Sequence, residues 1–188
     1  MIIEETVLPG VVRITPRRFG DERGFFSESW NAKALEEAGL ILPHFVQDNH
    51  SLSRAVGTVR GLHFQSPPHA QGKLVRCGRG AIWDVAVDVR RGSPTYGQWH
   101  GEELSFDNGR QLWIPVGFLH GFLTLQEDSE IVYKCTEHYD PECDGSVRWD
   151  SAGVDWPLGK RQPILSDKDR DAQSLSDFKS PFTNEESP

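Results

Sequence analysis

Seven histidines occur in the chain, and three of them, His63, His69 and His120, could in principle share one site. Three imidazole nitrogens can form the kind of site that zinc or iron accepts. Imidazole also titrates near neutral pH, so any of the three can carry protons instead. The plainest reading of a lone histidine is a core residue with a satisfied hydrogen bond. The other soft ligands are sparse. Cys77, Cys135 and Cys143 are odd in number and include no CxxC, which argues against a disulfide framework and against a zinc knuckle.

The elements that must position these histidines read as strands. Runs rich in branched and aromatic residues fall at 11–15, 58–64, 73–77, 81–89, 111–114, 118–125 and 129–136, with turn residues between them. Gly78-Arg79-Gly80 and Asp107-Asn108-Gly109 read as tight turns. Two segments are helical: Asn31 caps 32–38, which Gly39 closes, and Ser166 caps a turn that begins Asp167-Lys168-Asp169. Many short strands and few helices predict an all-β sandwich or barrel. The expected organisation is one domain over residues 1–177, followed by a loose polar tail or partner-docking arm over 178–188. Asp84 and Asp88 alternate with Val85 and Val87, so they share one strand face, and they read as fold residues.

The two histidine-bearing segments resemble a cupin jelly roll. From Gly109 through Pro115, Gly117 and His120 to Thr124, the spacing fits the second cupin motif except at its last position. The first segment keeps His63, but Gln65 stands where a second histidine ligand belongs. The usual His/His/Glu/His metal set therefore cannot be assembled in its usual places, and no metal and no cofactor are expected. Longer motifs then appear in order: Asp21-Glu22-Arg23-Gly24-Phe25-Phe26-Ser27-Glu28, Gln47-Asp48-Asn49-His50-Ser51, Arg60-Gly61-Leu62-His63-Phe64-Gln65, Gly72-Lys73-Leu74-Val75-Arg76, Tyr133-Lys134-Cys135-Thr136 and Ser166-Asp167-Lys168-Asp169. Together they resemble the dTDP-4-dehydrorhamnose 3,5-epimerase family over about residues 2–175. The resemblance implies a cupin-type jelly roll with a few short peripheral helices, a homodimer, no metal, and epimerisation of a dTDP-linked 4-keto-6-deoxy sugar.

That reaction needs a base, an acid on the opposite face of the sugar, and a group that stabilises the enolate oxygen. The resemblance assigns His63 as the base, oriented by Asp169, Tyr133 as the acid, and Lys73 as the enolate stabiliser. It assigns Arg23, Glu28, Gln47, Asp48, Asn49, Arg60, His120 and Lys168 to substrate contacts, and Phe26 and Tyr139 to the thymine ring. Asp144 stands where the family usually has a glutamate, so the contact carried over there is in doubt. Some nucleotide contacts are expected to cross a dimer interface.

Bulk properties set the outer bounds. A net charge of −8 gives a field that does not favour nucleic acid, so a small anionic substrate needs a local basic cluster. No run approaches the ~18 apolar residues of a membrane span, and residues 1–10 carry two acids and no apolar core. The expected setting is the cytoplasm. Three rival readings remain: an epimerase acting at one carbon only, a metal-dependent cupin, and a sugar-binding cupin without catalysis.

Overall fold

The computed structural model describes residues 1–184. Its strands are β1 (Ile2–Glu5), β2 (Val12–Thr15), β3 (Arg18–Asp21), β4 (Gly24–Ser27), β5 (Gln47–Ser53), β6 (Val59–Gln65), β7 (Lys73–Arg79), β8 (Ala81–Asp88), β9 (Trp99–Ser105), β10 (Gln111–Ile114), β11 (Phe118–Thr124), β12 (Ser129–Cys135) and β13 (Asp144–Ser146). Two short helices, α1 (Ala32–Glu37) and α2 (Asp167–Arg170), lie outside them. One sheet runs β1-β2-β10-β7-β12-β5 and a second runs β13-β6-β11-β8-β9, with β3 and β4 forming a separate hairpin. The chain is therefore an all-β, cupin-like double sheet.

Alternation along the strands explains the layering. Val75, Cys77, Leu112, Ile114 and Ile131 of the six-stranded sheet meet Ile82, Ala86, Leu104, Phe118 and Phe122 of the five-stranded sheet in one core. Each such side chain contributes roughly 1.5–3 kcal/mol when removed from water. The intervening residues build two outer layers. Leu74 and Trp113 pack with Leu35 of α1 and with Trp30 and Phe45. Val85, Val87, Leu119 and Leu123 are covered by the C-terminal segment through Trp156, Phe178 and Phe182.

Both helix caps form as the sequence indicates: Asn31 Oδ1 accepts from the Ala34 N–H at 3.1 Å and Ser166 Oγ from the Asp169 N–H at 3.1 Å. Two readings are corrected. β7 runs on through Gly78 to Arg79, so the tight turn sits at Gly80 alone, with φ +75°. The segment from residue 178 is packed over its described part. Phe178 and Phe182 are buried, Ser180 Oγ donates to the Val89 carbonyl, and the Arg91 N–H donates to the Phe182 carbonyl at 3.0 Å. Its polar letters hide two aromatic anchors four residues apart; the last four residues of that expected tail lie outside the described ones.

Candidate active site

The site begins at an irregularity between β6 and β11. His63 stands opposite His120, and Arg60 opposite Phe122. Two residues of β6, Gly61 and Leu62, therefore face one of β11, Gly121, which is a β-bulge. A Cβ on Gly61 would lie 2.6 Å from the Gly121 Cα and 2.7 Å from the His120 carbonyl oxygen, at a φ of +120°. Only glycine fits there. The bulge lets two strands approach closely while turning His63 into the space between the sheets.

His63 Nε2 lies 2.6 Å from Asp169 Oδ1. The imidazole is partly exposed, at 31%, and the carboxylate is buried, at 4%. Burial pushes the Asp169 carboxyl up, but hydrogen bonds from His63, Ser166 and Gly61, with the attraction of the imidazole, outweigh it and hold it below its ordinary value. Residues 106 positions apart in sequence thus form one pair, because the helical turn of α2 closes over the end of β6.

His63 opens onto a cavity of about 430 Å³. The five-stranded sheet and its flanks supply His63, Asp144 and Lys168; the six-stranded sheet supplies Lys73, Tyr133, Gln47 and Asn49; Tyr139 stands at the rim. Imidazole and phenol thus come from facing sheets. Burial pushes the Tyr133 phenol up, with a further push from Cys135 and a partial offset from Arg60. Burial pushes the Lys73 ammonium down, and nearby Cys135, Asp144 and Asp84 partly offset it. A hydrogen-bonded chain runs along the wall: the Tyr139 N–H donates to Gln47 Oε1 at 2.9 Å, Gln47 Nε2 to Asn49 Oδ1 at 3.0 Å, and Asn49 Nδ2 to Cys135 Sγ at 3.5 Å. Lys168 Nζ donates to Asp144 Oδ2, so the shortened acid at position 144 is held by a cavity lysine.

The remaining expected residues are distributed unevenly. Arg60 Nε donates to Ser53 Oγ at 3.1 Å beside Tyr133. Asp48 differs from expectation: its side chain lies on the outer face of β5, 3.1 Å from Lys134 Nζ, because neighbours on a strand point to opposite faces. Arg23, Phe26 and Glu28 are also not brought to this cavity. Arg23 and Phe26 are 90% and 66% exposed, and Glu28 Oε1 accepts from Asn31 Nδ2 at 3.2 Å. Their hairpin docks through Arg18 on the Phe106 and Asp107 carbonyls, beyond β9, at the opposite edge of the five-stranded sheet from β13.

Asp84 and Asp88, both expected as fold residues, meet different partners. Asp88 accepts from Arg90, Ser93 and Thr95. Asp84 Oδ1 accepts from Nε2 of His120, the cross-strand neighbour of His63, at 2.8 Å. Among the described residues the three histidines do not converge. His63, His120 and His69 each face a different carboxylate, Asp169, Asp84 and Asp140, and among the described residues no group of three His, Cys, Asp or Glu side chains is arranged around a common point. Gln65 serves a structural purpose, with Nε2 donating to the His138 carbonyl at 2.8 Å and Oε1 accepting from the Asp140 N–H at 3.0 Å.

Residues 5–177 match the family model of dTDP-4-dehydrorhamnose 3,5-epimerase. The chain belongs to that family. The dTDP-4-dehydrorhamnose 3,5-epimerase of Salmonella typhimurium is 51% identical over 177 residues, covering 93% of this chain and 96% of the relative. Among solved structures, the epimerase of Legionella pneumophila in complex with dTDP-4-keto-L-rhamnose superposes with a TM-score of 0.89 at 48% identity, covering 95% of this chain and 94% of that one. The Bacillus anthracis epimerase, with TDP and pyrophosphate bound, gives a TM-score of 0.87 at 48% identity, covering 93% and 99%. Membership of the epimerase family extends over both sheets, the helical turn that carries Asp169, and most of the segment that covers the five-stranded sheet.

Proposed function

We propose that the protein is a dTDP-4-dehydrorhamnose 3,5-epimerase. It converts dTDP-4-keto-6-deoxy-D-glucose into dTDP-4-keto-6-deoxy-L-mannose, inverting carbons 5 and 3. The observation that carries this reading is the placement of His63 and Tyr133 on facing sheets across one cavity. A sugar ring lodged between them has a base on one face and an acid on the other.

The ketone at carbon 4 makes the neighbouring C–H bonds acidic. His63 takes the proton from carbon 5, and the electron pair of the broken bond moves onto the carbon 4 oxygen as an enolate. Asp169 fixes the imidazole tautomer and stabilises the imidazolium that forms. Lys73 lies beside the enolate oxygen and stabilises its charge. The Tyr133 O–H bond then breaks, its proton joins the opposite face of carbon 5, and the enolate electrons return to carbon. Because burial holds the phenol up, it carries its proton at neutral pH. Solvent restores both groups, and the sequence repeats at carbon 3 with solvent as the proton source.

Arg60, Lys168, Gln47, Asn49 and His120 support the bound nucleotide sugar from this chain, with Asp144 holding Lys168 and Tyr139 stacking on thymine. Arg23, Phe26 and Glu28 serve the same ligand from a second copy of the chain in a homodimer, which accounts for their distance from this cavity; Asp48 acts only through the backbone around it. The reaction runs without metal or cofactor, in the cytoplasm, where Cys77, Cys135 and Cys143 stay unpaired.

Chelator-treated protein incubated with substrate in heavy water should place deuterium at carbons 3 and 5, read by NMR, and His63→Ala should abolish both. Deuterium at one carbon alone would replace this reading with a single-centre epimerase. The dimer has its own test: mixing Arg23→Ala with His63→Ala, each nearly inactive, should restore up to about a quarter of the activity if sites are shared. No restoration would place all contacts within one chain.

A further inference from the structure

One amide in the cavity wall is left half used. Gln47, Asn49, Gln65 and Gln71 all line the cavity beside His63, and each has an NH2 end that donates and an oxygen that accepts. Gln47 is engaged at both ends, by the Tyr139 N–H and by Asn49. Asn49 is engaged by Gln47 and by Cys135 Sγ, and Gln65 by the His138 carbonyl and the Asp140 N–H. Gln71 differs. Its Nε2 donates to the Glu137 carbonyl at 2.8 Å, and its Oε1 has no hydrogen-bond partner among the described residues. The partner of Nε2 is a carbonyl, which only a donor satisfies, so the amide is not turned end for end.

The backbone sets Gln71 on the same side as Lys73. The pairing of β7 with β12 runs one residue past both strands: the Thr136 N–H donates to the Gly72 carbonyl at 3.0 Å, and the Gly72 N–H donates to Thr136 Oγ1 at 2.8 Å. Gly72 faces the outer layer, where a Cβ would lie 2.5 Å from the Trp113 ring. Neighbours in an extended segment point to opposite faces. Gln71 and Lys73, on either side of Gly72, therefore turn together to the other face, and both line the cavity. The wall thus presents an ammonium and, beside it, a neutral acceptor.

We infer that Gln71 is a specificity-determining contact: its Oε1 accepts the hydrogen of the substrate hydroxyl at carbon 3. This rests on the function proposed above, in which Lys73 meets the oxygen of carbon 4. Carbon 4 has two ring neighbours. Carbon 5 carries a methyl group and the ring oxygen, neither of them a hydrogen donor. Carbon 3 carries a hydroxyl. An acceptor beside the carbon 4 contact therefore finds its donor at carbon 3. Once a sugar covers the wall, an unmet amide oxygen is costly, so a sugar without that hydroxyl is disfavoured. The Glu137 carbonyl holds the other end of the amide and fixes the direction of the oxygen.

The test is a cycle that pairs one substitution in the protein with one in the substrate. dTDP-4-keto-6-deoxy-D-glucose and its 3-deoxy analogue are each followed by deuterium entry at carbon 5 in heavy water, with the wild type and with Gln71→Leu. In the wild type, loss of the hydroxyl should lower kcat/KM roughly tenfold, the weight of one hydrogen bond left unmade. In Gln71→Leu the same loss should cost less than about twofold, since its partner is gone. Leucine also gives up the Glu137 contact, but that change falls on both substrates alike and cancels in the cycle. If Gln71→Leu does not fold, Gln71→Met removes the same oxygen with an unbranched chain and should give the same result. The 2-deoxy analogue is the control: Gln71→Leu should slow it about tenfold, as it slows the parent sugar. An equal cost of the missing carbon 3 hydroxyl in both proteins, or coupling to the carbon 2 hydroxyl instead, would overturn the contact alone. Wild-type protein that exchanges neither carbon would overturn the proposed function and this contact with it.

Discussion

Two histidine–carboxylate pairs stand side by side on the five-stranded sheet, and the same chemistry has two destinies. His63 and Asp169 are 2.6 Å apart, His120 and Asp84 are 2.8 Å apart, and the two imidazoles are cross-strand neighbours. The difference is access and company. The His63 side chain is 31% exposed and lines the cavity, whereas that of His120 is 9% exposed. Asp169 is satisfied by His63, Ser166 and Gly61 together; Asp84 keeps an oxygen with no partner among the described residues. In the proposed mechanism the fully satisfied carboxylate steadies the group that moves protons. The other carboxylate has His120 as its one hydrogen-bond partner among the described residues. The pairs differ in what surrounds each carboxylate.

That contrast can be attacked from several sides. The largest effect belongs to Asp169→Asn. The amide keeps the shape but does not stabilise an imidazolium, so kcat should fall roughly 10²–10⁴-fold, the range of general acid–base catalysis. Its loss should exceed that of Asp84→Asn in steady-state assays at the pH optimum; the reverse order would mean that the buried pair carries the proton chemistry.

A second test disturbs both pairs at once. Gly61→Ala places a Cβ 2.6 Å from the Gly121 Cα at φ +120°. Strain and overpacking of this kind cost about 2–4 kcal/mol, which denaturant unfolding would read. Activity should fall further than stability alone requires, because both imidazoles are mounted on that crossing. Wild-type stability in Gly61→Ala would show that β6 and β11 can separate without harm.

The smallest effect is on acid stability. The Asp169 carboxyl is held below its unfolded value, so its contribution is present above about pH 4 and is lost as pH falls through that value toward the lower folded one. The stability gap between wild type and Asp169→Asn, on the order of 1 kcal/mol for a buried hydrogen bond, should therefore narrow between pH 5 and 3. A gap that widened in acid would reverse the assigned direction of the shift.

Much of this was legible in the chain. Branched and aromatic runs marked seven strands because a half-buried strand needs alternating apolar faces. β5 (Gln47–Ser53) was not marked, since Gln-Asp-Asn-His-Ser-Leu-Ser has almost no apolar face: one side of it lines the cavity and the other meets solvent. β9 was hidden for a related reason, with His100 and Glu102 among its inward positions. Strands with polar inward faces break the pattern by which strands are recognised.

The sequence by itself determined the all-β class, the caps at Asn31 and Ser166, the absence of a complete cupin ligand set through Gln65, and a motif series specific enough to name a family. Those are local or linear properties, set by spacing and residue type. Tertiary structure alone decided that His63 meets Asp169 across 106 residues, that Asp48 turns away while Gln47 and Asn49 turn in, and that Arg23, Phe26 and Glu28 stand beyond reach of this cavity. It also decided which of two similar aspartates, Asp84 and Asp88, pairs with a histidine and which with an arginine. Both point inward from the same strand. Only the elements packed against each end of β8 determine which partner a buried carboxylate of that strand meets, His120 of β11 for Asp84 and Arg90 just beyond β8 for Asp88.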